Sequence, residues 1–195
     1  MISKPIIKIA IIFVYLLLIS DFWKMYRADT FYTTSKTLIK ENSPGEAIKN
    51  VNRAINLNPR EPAYYRGRAK SYLIDTLEKD VSEKTILKNK ALADLKRALN
   101  LNPKNLATIR NSLPLYYFLS VEDLMKPGNS LNVDGSFLEV TREFFGMAKE
   151  TYLNDAGVLV SVAKYEKRLG LWDDYNETLG MIGAVRPDLL DWKVE

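Results

Sequence analysis

One short segment is written twice in this chain. Ala47 to Pro59 reads AIKNVNRAINLNP, and Ala91 to Pro103 reads ALADLKRALNLNP. Each sets down an Ala, a large apolar residue four positions on (Val51, Leu95), a second Ala three beyond (Ala54, Ala98) and then a Pro. Residues spaced by four and then three lie on one face of an α-helix. The two Ala on that face leave room for a second helix to approach closely. The Pro ends the helix, because it lacks the N–H that would continue the ladder. A chain that writes this pattern twice, closing both copies with Leu-Asn-Pro, is constrained to helical hairpins laid down in series.

Composition removes most alternatives. The chain has 195 residues, no Cys and no His. That excludes disulfides, thiolate chemistry, Cys/His zinc sites and every catalytic triad built on imidazole. The net charge of +4 and pI near 9.1 favour acidic partners or anionic surfaces without naming one. The excess is small and spread along the chain, which argues against nucleic acid. No nucleophile stands with a base, no Gly-rich phosphate loop occurs, and Asp173 and Asp174 are adjacent, so they diverge around a helix. The expectation is no enzyme, no cofactor and no metal. Ser130 to Gly135 faintly echoes a calcium loop, but Thr141 stands where its last acidic ligand belongs. Asn176-Glu177-Thr178 fits a glycosylation acceptor and is read as chance, since it falls within a helix.

Before the first copy lies Ile6 to Trp23, IIKIAIIFVYLLLISDFW, apolar except for Lys8, Ser20 and Asp21. A bilayer takes about 17–25 such residues as a helix. Lys8 can snorkel to the headgroups, and Trp23 and Tyr26 stand where interfacial aromatics belong. No small-residue cleavage site follows, so an uncleaved anchor over residues 1–27 is expected rather than a signal peptide. Lysines and arginines fall on both sides of it, so charge does not set its orientation. The expected location is a single-pass membrane protein, the remainder leaning to the extracytoplasmic side.

The duplicated segment is similar to the second half of a tetratricopeptide repeat, a helical hairpin with a period of about 34 residues. That resemblance implies an all-α chain, with the membrane helix followed by an α-solenoid of about four such hairpins over 28–195. The units fall at 28–61, 62–105, 106–155 and 156–189. Ser43 and Pro44 are expected to open the second helix. The interval from Pro59 to Pro103 exceeds one period by about ten residues, and the surplus lies around Ile74 to Thr85, with a helix start near Ser82. Pro114 is expected to kink the first helix of the third unit. Met125 to Gly135 reads as a loop, with a helix resuming near Phe137. In the fourth unit Glu166 replaces an aromatic and Tyr175 a small residue, as in repeats that cap a stack. Asp188 to Glu195, with Trp192, is too short for a further hairpin and is expected to form a short cap.

The order of a span, a hairpin ending LNPREPAYYRGRA and a lengthened hairpin ending LNPKN resembles the C-terminal tail of bacterial O-antigen ligase/polymerase-family membrane proteins. Glycosyl transfer in that family needs many spans, and one is read here. The resemblance therefore implies a non-catalytic accessory of envelope polysaccharide assembly, its partner a multi-span glycosyl-transfer protein. A general envelope or secretion adaptor for an acidic peptide or protein segment is the alternative.

Within such repeats the first helices line a concave groove, and the positions pointing into it carry Lys36, Lys40, Arg66, Lys70, Arg110, Lys164, Lys167 and Arg168. Tyr32, Tyr117 and Phe118 lie among them. These basic and aromatic residues form the expected partner-binding groove, suited to carboxylates through charge-assisted hydrogen bonds. Arg66 and Arg110 share one repeat position and lead the set. Arg68 falls at a normally apolar position, so it either salt-bridges a neighbouring helix or marks a slip in the alignment. Tyr64, Tyr65, Tyr72, Tyr116 and Tyr117 are expected between hairpins, so Tyr117 carries two readings.

Overall fold

The computed structural model describes residues 4–126 and 131–190, except for the side chains of residues 4–7, 9 and 10. Among the described residues the regular elements are all helical, apart from an isolated antiparallel bridge between Val121 and Val133. Eight α-helices follow in order: α1 Lys4–Lys40, α2 Pro44–Leu57, α3 Pro62–Asp75, α4 Val81–Leu101, α5 Leu106–Leu119, α6 Gly135–Thr151, α7 Ala156–Leu169 and α8 Trp172–Val185. Short 3-10 turns occupy Thr76–Glu78 and Pro187–Leu189.

Side chains at the helix starts explain the boundaries. Carboxylate or amide oxygens of Glu61, Asp80, Asn105, Asp134 and Asp155 accept from free N–H groups in the first turns of α3 to α7, at 2.9–3.0 Å. Ser43 differs from expectation: its hydroxyl makes no cap, and Asn42 turns the chain with a left-handed φ of 54°. The surplus after Ile74 becomes the 3-10 turn and a 21-residue α4, which Asp80 caps and which starts at Val81, one residue before the expected Ser82. Pro114 lies inside α5, yet the helix continues through it to Leu119.

The twice-written segment packs as its spacing demands. Ala47, Val51 and Ala54 on α2, and Ala91, Leu95 and Ala98 on α4, are all 0% exposed. Each consecutive pair of helices is in contact; in addition α1 packs on α3, α3 on α5 and α5 on α7. The odd-numbered helices therefore form a continuous row, with the even-numbered ones laid against it. The largest cluster joins α3 to α7 through Leu73, Leu95, Leu113, Tyr116, Phe145 and Val162. Burying one such aliphatic side chain contributes about 1.5–3 kcal/mol. Tyr116 stacks on Phe144 with ring centroids 3.9 Å apart, filling the gap between α5 and α6.

Two expectations need restating. The separation of an anchor at 1–27 from a domain beginning at 28 is not a break in the chain's structure, because α1 runs through it without interruption. Among the described residues no helix is long and apolar enough to cross a membrane. The side chains of Ile6, Ile7, Ile9 and Ala10, which belong to the expected span, lie outside the description. From Ile11 to Ile19 every residue is between 51% and 63% exposed, with no other helix against it. Ala28, by contrast, is fully buried. In the expected loop, residues 127–130 lie outside the description, as does Trp192 of the expected cap.

Candidate partner-binding face

The leading residues of the expected groove sit where one first helix meets the next. Tyr32 on α1 leans onto α3, where a Cβ added at Gly67 would run into its ring. Its ring also lies 5.0 Å from that of Tyr64. Arg66 on α3 donates from Nη1 to Thr108 Oγ1 on α5 at 3.1 Å. Arg110 on α5 donates from Nη2 to Asp155 Oδ1, the cap of α7, at 2.6 Å. Residues at one repeat position thus reach from each odd-numbered helix to the next. Burial lowers the Arg66 guanidinium from its ordinary value, while Tyr32 and Glu61 pull it back. At Asp155 burial pushes the carboxyl up, but the Arg110 bond and the N–H of Val158 outweigh it and leave it below the ordinary value.

Both arginines are therefore braces between hairpins, each already holding an internal acceptor. Tyr117 takes the second of its two expected places, between hairpins. It is 1% exposed and stacks on Tyr165 of α7 with centroids 4.8 Å apart, so its ring is packing rather than groove surface. Tyr64, Tyr65 and Tyr116 are likewise buried, as expected of residues between hairpins. Tyr64 donates its hydroxyl to Asp29 on α1; burial first, and that carboxylate second, push the phenol above its ordinary value.

The other cations keep accessible surface. Lys36, Lys40, Lys70 and Lys167 are exposed, and Lys164 and Arg168 half-buried. Lys36 Nζ lies 4.9 Å from the centre of the Tyr32 ring, a cation–π contact. The third unit supplies no cation between these groups beyond the braced Arg110; it offers half-buried Pro114 and Phe118. Cations with accessible surface thus stand on α1, α3 and α7, and on α5 the one such cation is Arg110, held by Asp155.

Three internal charge clusters were invisible or incomplete in the sequence. Arg68 salt-bridges Asp94 on α4 through Nε and Nη2, both at 2.7 Å, and donates from Nη1 to Asn52 on α2 at 2.6 Å. It is the inter-helix salt bridge that was one of its two expected meanings. The bidentate bond outweighs burial and raises the guanidinium. Lys88 on α4 is 3% exposed and donates to the Val121 carbonyl at 2.8 Å and to Asp134 Oδ2 at 2.7 Å. It clasps both ends of the segment between α5 and α6, where the Asn132 side chain also bonds the backbone at Asp123 and Lys126. No repeat position foretold this lysine.

Glu166 accounts for the missing aromatic of the last unit. It is 1% exposed, accepts from Thr178 Oγ1 at 2.6 Å and pairs with Lys149 Nζ at 3.2 Å. Lys149 also reaches Glu177 at 3.0 Å, so one ammonium joins α6, α7 and α8. Burial raises the Glu166 carboxyl against the pull of Thr178 and Lys149. Burial lowers the Lys149 ammonium, but its two carboxylates outweigh this and leave it raised. Such a network resembles a catalytic acid–base pair only in composition. Its members join three helices, with Glu166 and Lys149 buried and Glu177 exposed.

Among the described residues no group of three or more carboxylates is placed to hold a metal ion. Compared with models of known protein families and with curated protein sequences, the chain gives no match.

Proposed function

We propose that this chain is a membrane-anchored, non-catalytic interaction scaffold. In this reading the N-terminal part of α1 lies in a bilayer, and α1 from Ala28 through α8 is a short solenoid of four tetratricopeptide-like hairpins. The partner is an acidic protein segment seated along the odd-numbered helices. The observation that carries the reading is the row of braces from Tyr32, Arg66 and Arg110, each reaching the next odd-numbered helix. In this reading Lys36, Lys40 and Lys70, followed by Lys164 and Arg168, share one long face of that row; all of them keep accessible surface. An extended segment carrying acidic residues complements it.

The setting beside envelope polysaccharide assembly rests on the resemblance in element order, and it predicts co-purification with a multi-span glycosyl-transfer protein. Recovery of soluble partners alone would favour the general adaptor. The direct test separates face from braces. Lys36→Glu with Lys70→Glu is expected to abolish partner capture with the thermal melt unchanged. Arg110→Gln is expected to retain capture and lower the melt slightly. Capture that survives the lysine reversals and fails with Arg110→Gln would overturn this assignment.

A further inference from the structure

The end of the molecule beside the bare part of α1 is strongly cationic, for a reason separate from the groove. Trp23 and Tyr26 stack at 5.7 Å, 61% and 64% exposed, and close the apolar stretch. Arg27 follows directly. Its guanidinium lies 5.8 Å from the centre of the Phe31 ring, and that of Arg53, from α2, lies 5.6 Å from the same centre. Two cations from different helices are thus gathered on one ring, about 8 Å along the axis from Tyr26. Leu57 and Leu101, at the ends of α2 and α4, pack in the cluster that contains Ala28. The turns that follow those helices therefore come to this same end, bringing exposed Arg60 and Lys104 with them. Arg97 repeats on α4 the place that Arg53 holds on α2, one unit further along.

The local carboxylates offset this edge only in part, since Asp29 and Glu61 keep their charge but stand against Arg27, Arg53, Arg60, Arg97 and Lys104. Asp29 accepts from Tyr64, Glu61 caps α3 and Asp21 pairs with Lys24. Arg27, Arg53, Arg60 and Arg97 make no ion pair among the described residues. Resting on the reading of α1 as a membrane anchor, we infer that this edge docks on anionic phospholipid headgroups. Charge complementarity and continuity with the apolar stretch both point to that occupant. The aromatic pair marks the depth at which headgroups begin, and the guanidinium pair stands within about one Debye length of it. Each such cation near an anionic leaflet favours contact by about fivefold. Docking there holds the solenoid down against the bilayer and fixes the direction in which its long face opens.

The chain has no Cys, so Asn102→Cys gives one labelling site, on the exposed turn between Arg97 and Lys104. The labelled full chain is reconstituted into vesicles of phosphatidylcholine alone, or with about a third phosphatidylglycerol, carrying a headgroup acceptor. Flotation with both compositions is the expected result for an anchored chain. Energy transfer to the surface is expected to be higher in the anionic vesicles and to fall as salt shortens the Debye length. Arg53→Gln and Arg60→Gln should each reduce the docked-to-undocked ratio about fivefold. Lys49→Gln, at the start of α2, should leave it unchanged. Equal transfer in neutral and anionic vesicles, or Gln variants that match the parent, would overturn the docking edge and leave the anchor standing. Loss of the anionic difference on adding inorganic phosphate at constant ionic strength would assign a small-anion site instead. A chain that floats with neither composition would remove the anchor reading and the edge together.

Discussion

Two stretches of one helix have opposite fates. From Ile11 to Tyr26 the side chains of α1 are exposed all round; from Ala28 to Lys40 the same helix carries α2 and α3 on its surface. Both are helical, so local propensity does not separate them. What separates them is patterning. From Ile11 to Ile19 the first stretch is apolar on every side and has no polar face to turn outward. The second spaces small residues for neighbours: Ala28 is 0% and Ser35 2% exposed, and Tyr32 folds against Gly67. An uninterrupted α1 means that the orientation of the first stretch is imposed directly on the first hairpin.

The largest expected effect comes from charging the bare stretch. An Arg at the centre of a membrane helix costs about 2.5–3.5 kcal/mol. Phe13→Arg with Leu16→Arg should therefore abolish vesicle flotation while the thermal melt of α2 to α8 is kept. Loss of the melt instead would show that this stretch packs on the hairpins. Next is Gly67→Ala on the packed side. Its Cβ meets the Tyr32 ring, an overpacking that costs about 1–3 kcal/mol by chemical denaturation. Combining it with Tyr32→Ala should recover part of that loss, and flotation should not change in either.

Tyr64→Phe removes the hydroxyl that fastens α3 to Asp29 of α1, and a drop of about 0.5–1.5 kcal/mol is expected from the same denaturation. The smallest effect lies furthest from α1. Arg110→Ala breaks a partly exposed ion pair and should cost about 0.2–1 kcal/mol. Because the Asp155 carboxyl is held below its ordinary value, the stability it contributes is present above the unfolded-state value of 3.8. It is lost as pH falls through the lower folded value. The parent and Arg110→Ala melts should thus converge in acid; a gap that persists unchanged at low pH would remove the ion pair as its cause.

The helices were legible in the sequence because they depend on local signals. Ala, a large residue and Ala at helical spacing, closed by Pro, place Ala47, Val51 and Ala54 in the core, and Ala91, Leu95 and Ala98 likewise. Repeat position makes Arg66 and Arg110 equivalent and expects both to line a groove; each reaches the next odd-numbered helix. It does not say what waits there, and Thr108 and Asp155 are the acceptors that turn two expected ligand contacts into braces. Tyr117 stayed ambiguous in the sequence for a related reason, since Tyr165 covers it from a helix distant in sequence. Glu166 was visible as a departure from pattern, but its partner Lys149 sits on α6 with nothing local to link them. Buried Lys88 carried no signal at all, because a lysine on a long polar helix reads as solvated until the Val121 carbonyl and Asp134 are brought against it.

The contrast within α1 is tested most directly by walking a single cysteine from Ile12 to Lys40 through this Cys-free chain. Each variant, in native membranes, is treated with a membrane-impermeant maleimide. A continuous protected block ending near Trp23 is predicted, followed from Ala28 by reactivity rising and falling with the 3.6-residue period of a helix packed on one side. Uniform labelling from 12 to 19 would contradict the account, since those side chains would then face water and the anchor would be gone.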